Sequence, residues 1–294
     1  MLRARNPALL TATCLGGREA VMKTDPKETD VLLTFENEHF SSEYKEYYKA
    51  KRQNFFATIQ SFPGLWDCFQ RLDQIWMREF QDMSVVTNTT TMLPGMLFMN
   101  AHAKFRIALE LGFSCCLGEA WDALRGAIEC VTYGHKITRE PAMLKVWLDK
   151  DRGKKEAEAF KDAFERKKKS SLFPPQDGLD KLHHYYSQYS EWGTHTTVGS
   201  MSQRFKSLSP KDGTEWRLIY TGTDSKLLAV SLFSMLMASS LMEGVLFSVF
   251  KNRLQMDTEL ATMRGELAMR IQKTRVGIIG RFNIAPPRIW PASF

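Results

Sequence analysis

Glycine and proline are scarce in this chain, 18 and 11 among 294 residues. They thin out through the middle, which disfavours a sandwich or barrel and favours long helices. The cysteines are few and odd in number, Cys14, Cys68, Cys115, Cys116 and Cys130, with no C-x-x-C spacing. That excludes a disulfide framework and a zinc knuckle, and it points to a reduced, cytoplasmic chain. Nucleophile and phosphate motifs are missing: there is no G-x-S-x-G elbow and no G-x-x-x-x-G-K loop, so α/β-hydrolase and P-loop chemistry are not expected. Neither an internal repeat nor a low-complexity tract is present, which removes solenoids and arrays.

What the chain does contain is ordinary for a folded protein, with 44% hydrophobic and 25% charged residues. The net charge of +7 is spread out and reads first as solubility, while admitting RNA or another anionic ligand as partner. The opening "MLRARNPALLTATCLGG" carries Arg3 and Arg5 and has no acid before Glu19. Its apolar run is short and broken by threonines, so residues 1–30 read as a dispensable extension, with Met22 an alternative start, rather than a targeting segment.

Periodicity then organises residues 31–282 as one helical domain. Aromatic residues recur at helical spacing from Glu36 to about Ile59. Pro63 fits the first turn of a second helix, whose stripe is Leu65, Trp66, Phe69, Leu72, Ile75, Trp76 and Phe80. "VVTNTTTMLPG" interrupts the pattern, and a third helix is expected from about Leu93 to Leu111, stopping at Gly112. The fourth, about Ser114–Lys136, places Leu117, Ala120, Trp121, Leu124, Ala127, Ile128 and Val131 on one side, with Asp122, Arg125, Glu129 and Lys136 on the flank. A short amphipathic piece follows Pro141, then a charged helix in "GKKEAEAFKDAFERKKKSS" and a linker in "SLFPPQDG". Residues 206–220 suggest a small hairpin around Pro-Lys-Asp-Gly. A last amphipathic helix spans about Asp257–Arg275, and 283–294 form an extended Pro-rich tail. The expected fold is all-α, a bundle of seven to eight helices.

Leu227–Phe250 gives 24 residues with Glu243 as the only charge. That length would span a bilayer of roughly 30 Å. Five serines and a carboxylate two-thirds of the way along argue instead for a central helix buried on every side. A buried Glu243 requires a partner, and Arg125 is a natural candidate.

Few groups are placed for chemistry. Arg125 and Glu129 stand one turn apart on a helix face, either as an intrahelical ion pair or as the wall of a polar pocket with Glu243. His135 falls near the end of its helix, where the dipole favours a protonated imidazole. "LHHYYSQYSEWGTH" holds three of the six histidines. His183 and His184 are adjacent and point about 100° apart, so they cannot chelate one metal together. His195 follows Gly193, which is expected to end the helix, and is either a cap or a group presented to a cleft. Cys115–Cys116 read as inert core thiols. No metal and no cofactor is expected.

The stretch "LGFSCCLGEAWDALRGAIECVTYGHKI", with "PAMLKVWL" and "YSQYSEWGTH", resembles a loosely defined set of bacterial all-helical proteins likened to the HEPN fold. The matching positions are Gly112, Arg125, Glu129, Ser190 and His195, over roughly 100 residues. The resemblance implies a small helical bundle, and its ribonuclease members use Arg-x(4–6)-His. Here Gln188, Tyr189 and Ser190 stand at those distances before His195, and Ile128, Glu129 and Cys130 before His135, so the ribonuclease motif is absent. The function expected is a non-catalytic binding or interaction protein with a pocket around Arg125, Glu129, His195 and Glu243. The rivals are a HEPN-like nuclease with a non-standard site and a membrane-associated protein held by 227–250. A homo-oligomer is compatible with the sequence.

Overall fold

The computed structural model describes residues 39–83, 89–166, 172–194, 205–207, 216–218, 221–252, 254 and 257–284. The chain divides into two units, Met1–Glu46 and Tyr47–Phe294. In the first, the described residues open helix α1 (Ser42–Ser61), and the Ser41 hydroxyl accepts the Tyr44 N–H as its cap.

Among the described residues the protein is an all-α bundle. After α1 come α2 (Pro63–Met83), α3 (Thr89–Phe113), α4 (Leu117–Arg139) and the seven-residue α5 (Met143–Asp149) and α6 (Lys154–Phe160). Then follow α7 (Leu179–Tyr189), α8 (Ser225–Phe250) and α9 (Thr258–Phe282). Strands β1 (Phe205–Ser207) and β2 (Trp216–Leu218) pair antiparallel, Phe205 opposite Leu218, within the stretch where a hairpin is expected.

Local chemistry accounts for most boundaries. Asp224 caps α8 by accepting from the Lys226 and Leu227 amides, and Asp257 caps α9 at the Leu260 amide. Asn283 closes α9 in the left-handed conformation that asparagine tolerates. Several boundaries differ from expectation, among them the end of α9, which runs to Phe282 rather than Arg275. Helix α3 starts at Thr89 and carries Pro94 inside it. It ends at Phe113, and the left-handed residue that follows is Cys115, at φ 62°, not Gly112. Gly112 instead makes room for α8, since a Cβ there would lie 2.8 Å from Met235 Cε and 3.2 Å from Leu232 Cδ2.

Helix α8 is the hub. Most of its surface is buried against α2, α3, α4, α7 and α9, with Val230, Ser234, Leu241 and Ser248 only partly buried. At 26 residues it is long and apolar enough to cross a membrane, yet 67% of its most apolar 18-residue window is buried inside the bundle. The main core gathers Phe69, Trp76, Phe98, Phe113, Leu124 and Phe233. A second, smaller core joins Leu97, Ile137, Phe160 and Phe164, with Tyr133 packed against it. The candidate site lies where the two cores meet.

Candidate functional site

Helix α4 turns its apolar stripe inward and leaves Arg125 and Glu129, one turn apart, on the flank that faces α7. Helix α7 answers with Tyr186, and Ser190 follows one turn later, just past its end. Arg125 Nε donates to Ser190 Oγ at 3.1 Å, and Ser190 donates in turn to the Tyr186 carbonyl at 2.8 Å. Arg125 Nη2 lies 2.9 Å from Glu129 Oε1 and 3.4 Å from the Tyr186 hydroxyl. That hydroxyl donates to the same Glu129 Oε1 at 3.0 Å. Arg125 Nε and Nη2 and the Tyr186 and Ser190 hydroxyls thus each have an acceptor, which makes the ring rigid.

The close approach that closes the ring depends on Gly193. A Cβ there would sit 2.9 Å from the Asp122 backbone nitrogen and 3.0 Å from the Gly118 carbonyl oxygen. Gly193 therefore does not end the helix as expected. The chain continues through it as a wider π-turn, Ser190–Thr194, that keeps α7 against α4.

Burial opposes the Arg125 charge, but hydrogen bonding to Tyr186 and the Glu129 carboxylate hold its pKa above the ordinary value. Burial pushes the Tyr186 hydroxyl up as well, so it stays a donor at neutral pH. Ser190 gives its proton to a backbone carbonyl, not to a base, so it is not activated as a nucleophile. The ring is built to hold charge in place.

Beside it lies a cavity of about 330 Å³. Glu129 and Tyr186 form its polar wall, and Tyr133, Phe164 and Phe173 supply aromatic faces. His183 completes the wall, its ring tilted on Phe173 at 4.8 Å. Both contacts to the Glu129 carboxylate fall on Oε1, which leaves Oε2 without a hydrogen bond among the described residues. His184, as its adjacency to His183 requires, faces a different cavity.

Of the four residues expected to share a pocket, the structure brings together Arg125 and Glu129. His195 lies outside the described residues. Glu243 is elsewhere, and its partner is Arg264, not Arg125. Arg264 Nη1 bonds Glu243 and lies 3.2 Å from Glu79, while its guanidinium stacks 4.0 Å from the centre of the Phe247 ring. Glu79 is 0% and Glu243 5% exposed. Two buried carboxylates and one guanidinium leave one negative charge uncompensated, and a shared proton removes it. Burial first, and then the facing Glu243, drive the Glu79 carboxyl far above the usual range, and burial raises Glu243 too.

A second, half-buried group also lacked a sequence expectation. Asp177, in the segment read as a linker, stands at φ 57° and receives His135 Nε2 at 2.9 Å, Arg139 Nη2 at 3.0 Å and the Ser248 hydroxyl. His135 is therefore held by a carboxylate, and burial lowers its pKa, working against the protonated form that the helix dipole favours. In this array the aspartate is central and the serine does not reach the histidine, so it is a staple and not a catalytic triad. Cys115 and Cys116 are held protonated by burial, as inert thiols. No cluster of three metal-ligating side chains occurs among the described residues. Comparison of the chain with models of protein families, with curated proteins and with solved structures gives no match.

Proposed function

We propose that the chain is a non-catalytic binding protein whose ligand occupies the cavity beside Glu129. The observation that carries this reading is a carboxylate in the wall of an aromatic cavity, fixed on one oxygen by Arg125 and Tyr186, with no hydrogen bond to its second oxygen among the described residues. A pre-organised acceptor of this kind recognises a donor, an N–H or O–H group, on a compact molecule whose flat body packs on Tyr133, Phe164 and Phe173. Arg125 acts here as the strut of Glu129, because Ser190, Tyr186 and Glu129 already engage its guanidinium.

Benzylamine and single-stranded RNA serve as opposed probes in calorimetric titration of the full chain. Benzylamine is expected to bind, to weaken about tenfold with Glu129→Gln, as loss of one charge-assisted hydrogen bond requires, and to weaken with Arg125→Ala. RNA bound or cut through Arg125, with benzylamine indifferent to Glu129, would overturn the reading and favour the nucleic-acid alternative.

A further inference from the structure

On the opposite face of α7 a second cavity, of about 200 Å³, opens between α4, α7 and α8. Its walls are aromatic: Trp121, Tyr185, Tyr189 and Trp192 line it, and Trp121 meets Trp192 edge to face at 5.3 Å. Among the described residues that line it there is no aspartate, glutamate, lysine or arginine. His184, the one histidine among those residues, is biased to the neutral form by burial. The Tyr189 and Ser234 hydroxyls satisfy each other at 3.1 Å.

Ser231 behaves differently. It is 5% exposed, it lines the cavity, and its hydroxyl has no hydrogen-bond partner among the described residues. A helical serine ordinarily returns its hydroxyl to the carbonyl one turn back, and Ser240 in the same helix does so, to Leu236 at 2.9 Å. Ser231 instead keeps a free donor and acceptor on the rim of an apolar chamber. His184, Gln188 and the Tyr185 hydroxyl are the other polar groups among its described lining residues.

We infer that this cavity is a binding site for a small, neutral, planar aromatic molecule carrying one hydrogen-bonding group, of phenol or indole size, which bonds Ser231. Size sets the class: an apolar cavity of about 150 Å³ accepts benzene, and the present one adds room for a substituent or a fused ring while excluding a nucleotide. The chamber's neutrality selects against an ammonium ion. Trp192, 40% exposed, places an indole at the mouth where occupancy changes its emission. The site is separate from the Glu129 cavity and does not rest on the function proposed there.

The test is titration of the full chain with phenol, toluene and tetramethylammonium, followed by tryptophan emission and by calorimetry. Phenol is expected to bind, and Ser231→Ala to weaken phenol about five- to tenfold while leaving toluene unchanged, the value of one hydrogen bond. Val230→Trp, which fills the chamber, is expected to abolish both, with circular dichroism reporting that the variant is folded. Glu129→Gln is expected to leave phenol binding unchanged, which keeps the two sites distinguishable. Failure of phenol to bind at millimolar concentration, equal loss of phenol and toluene in Ser231→Ala, or tighter binding of tetramethylammonium than of phenol would each overturn the inference.

Discussion

Asp177 combines a backbone conformation that most residues avoid, φ 57° and ψ 17°, with three hydrogen bonds that repay the strain. Burial works against its charge, but Ser248, His135 and Arg139 pull its pKa down to about 2. A carboxylate lowered in the folded state contributes stability that is full above its ordinary pKa and lost as pH falls toward the folded value. Asp177→Asn keeps a side chain that tolerates the left-handed region but loses the charge, and about 1–2 kcal/mol of stability is expected to go with it. Asp177→Ala forfeits both and is expected to cost roughly 1 kcal/mol more; urea denaturation at neutral pH orders the two, and equal losses would remove the strain argument. Glu79 has the opposite sign. Its folded pKa is raised to about 10, so the native state holds a proton that the unfolded chain releases, and stability falls as pH climbs from about 5 toward that value. Glu79→Gln, which fixes the neutral form beside Glu243 and Arg264, is expected to flatten that slope in denaturation midpoints measured across the range. A slope unchanged by the substitution would show that the shared proton lies elsewhere.

Two glycines separate tight packing between elements from mere proximity. At Gly112 an added methyl meets the tip of Met235, a flexible side chain that can swing aside, so Gly112→Ala is expected to change stability by less than about 1 kcal/mol. At Gly193 it meets the backbone of α4 at Asp122 and Gly118, which cannot yield. Gly193→Ala is expected to push α7 off α4, cost about 1–3 kcal/mol, and weaken benzylamine binding by separating Tyr186 from Glu129. Thermal melts and the same calorimetric titration measure both effects. The sequence could not distinguish these glycines, because both follow long helical patterns and both look like stops. Periodicity did expose the stripes of α2 and α4 and the all-apolar α8, since those depend on burial alone. It also placed Arg125 beside Glu129, one turn apart on one helix. It could not place Tyr186, because that contact depends on the approach of a second helix. Glu79 had a readable signal: it falls on the apolar stripe one turn after Trp76, where an acid requires a buried partner. Arg264, on the amphipathic α9, carried no comparable mark.

At the scale of the whole molecule the question is what α8 belongs to. A membrane-spanning helix faces lipid around much of its girth, whereas here Gly112 opens a recess for Met235, and α2, α3, α4, α7 and α9 all pack on α8. Glu243 reaches Arg264 on α9 and faces Glu79 of α2, so three helices share one charge cluster at the bundle's centre. Lifting α8 into a bilayer would strand a carboxylate in hydrocarbon and separate it from Arg264 and Glu79. Leu236, 0% exposed, tests this role directly. If α8 is the common core, Leu236→Ala opens a cavity felt by every helix that packs there, and a loss of about 2–5 kcal/mol is expected. Helical signal and tryptophan emission should then fall in one coincident transition at a lower midpoint. The same preparation, fractionated without detergent, should stay in the supernatant. Recovery of the wild-type chain only with membranes, together with a Leu236→Ala variant as stable as wild type, would assign α8 to lipid instead.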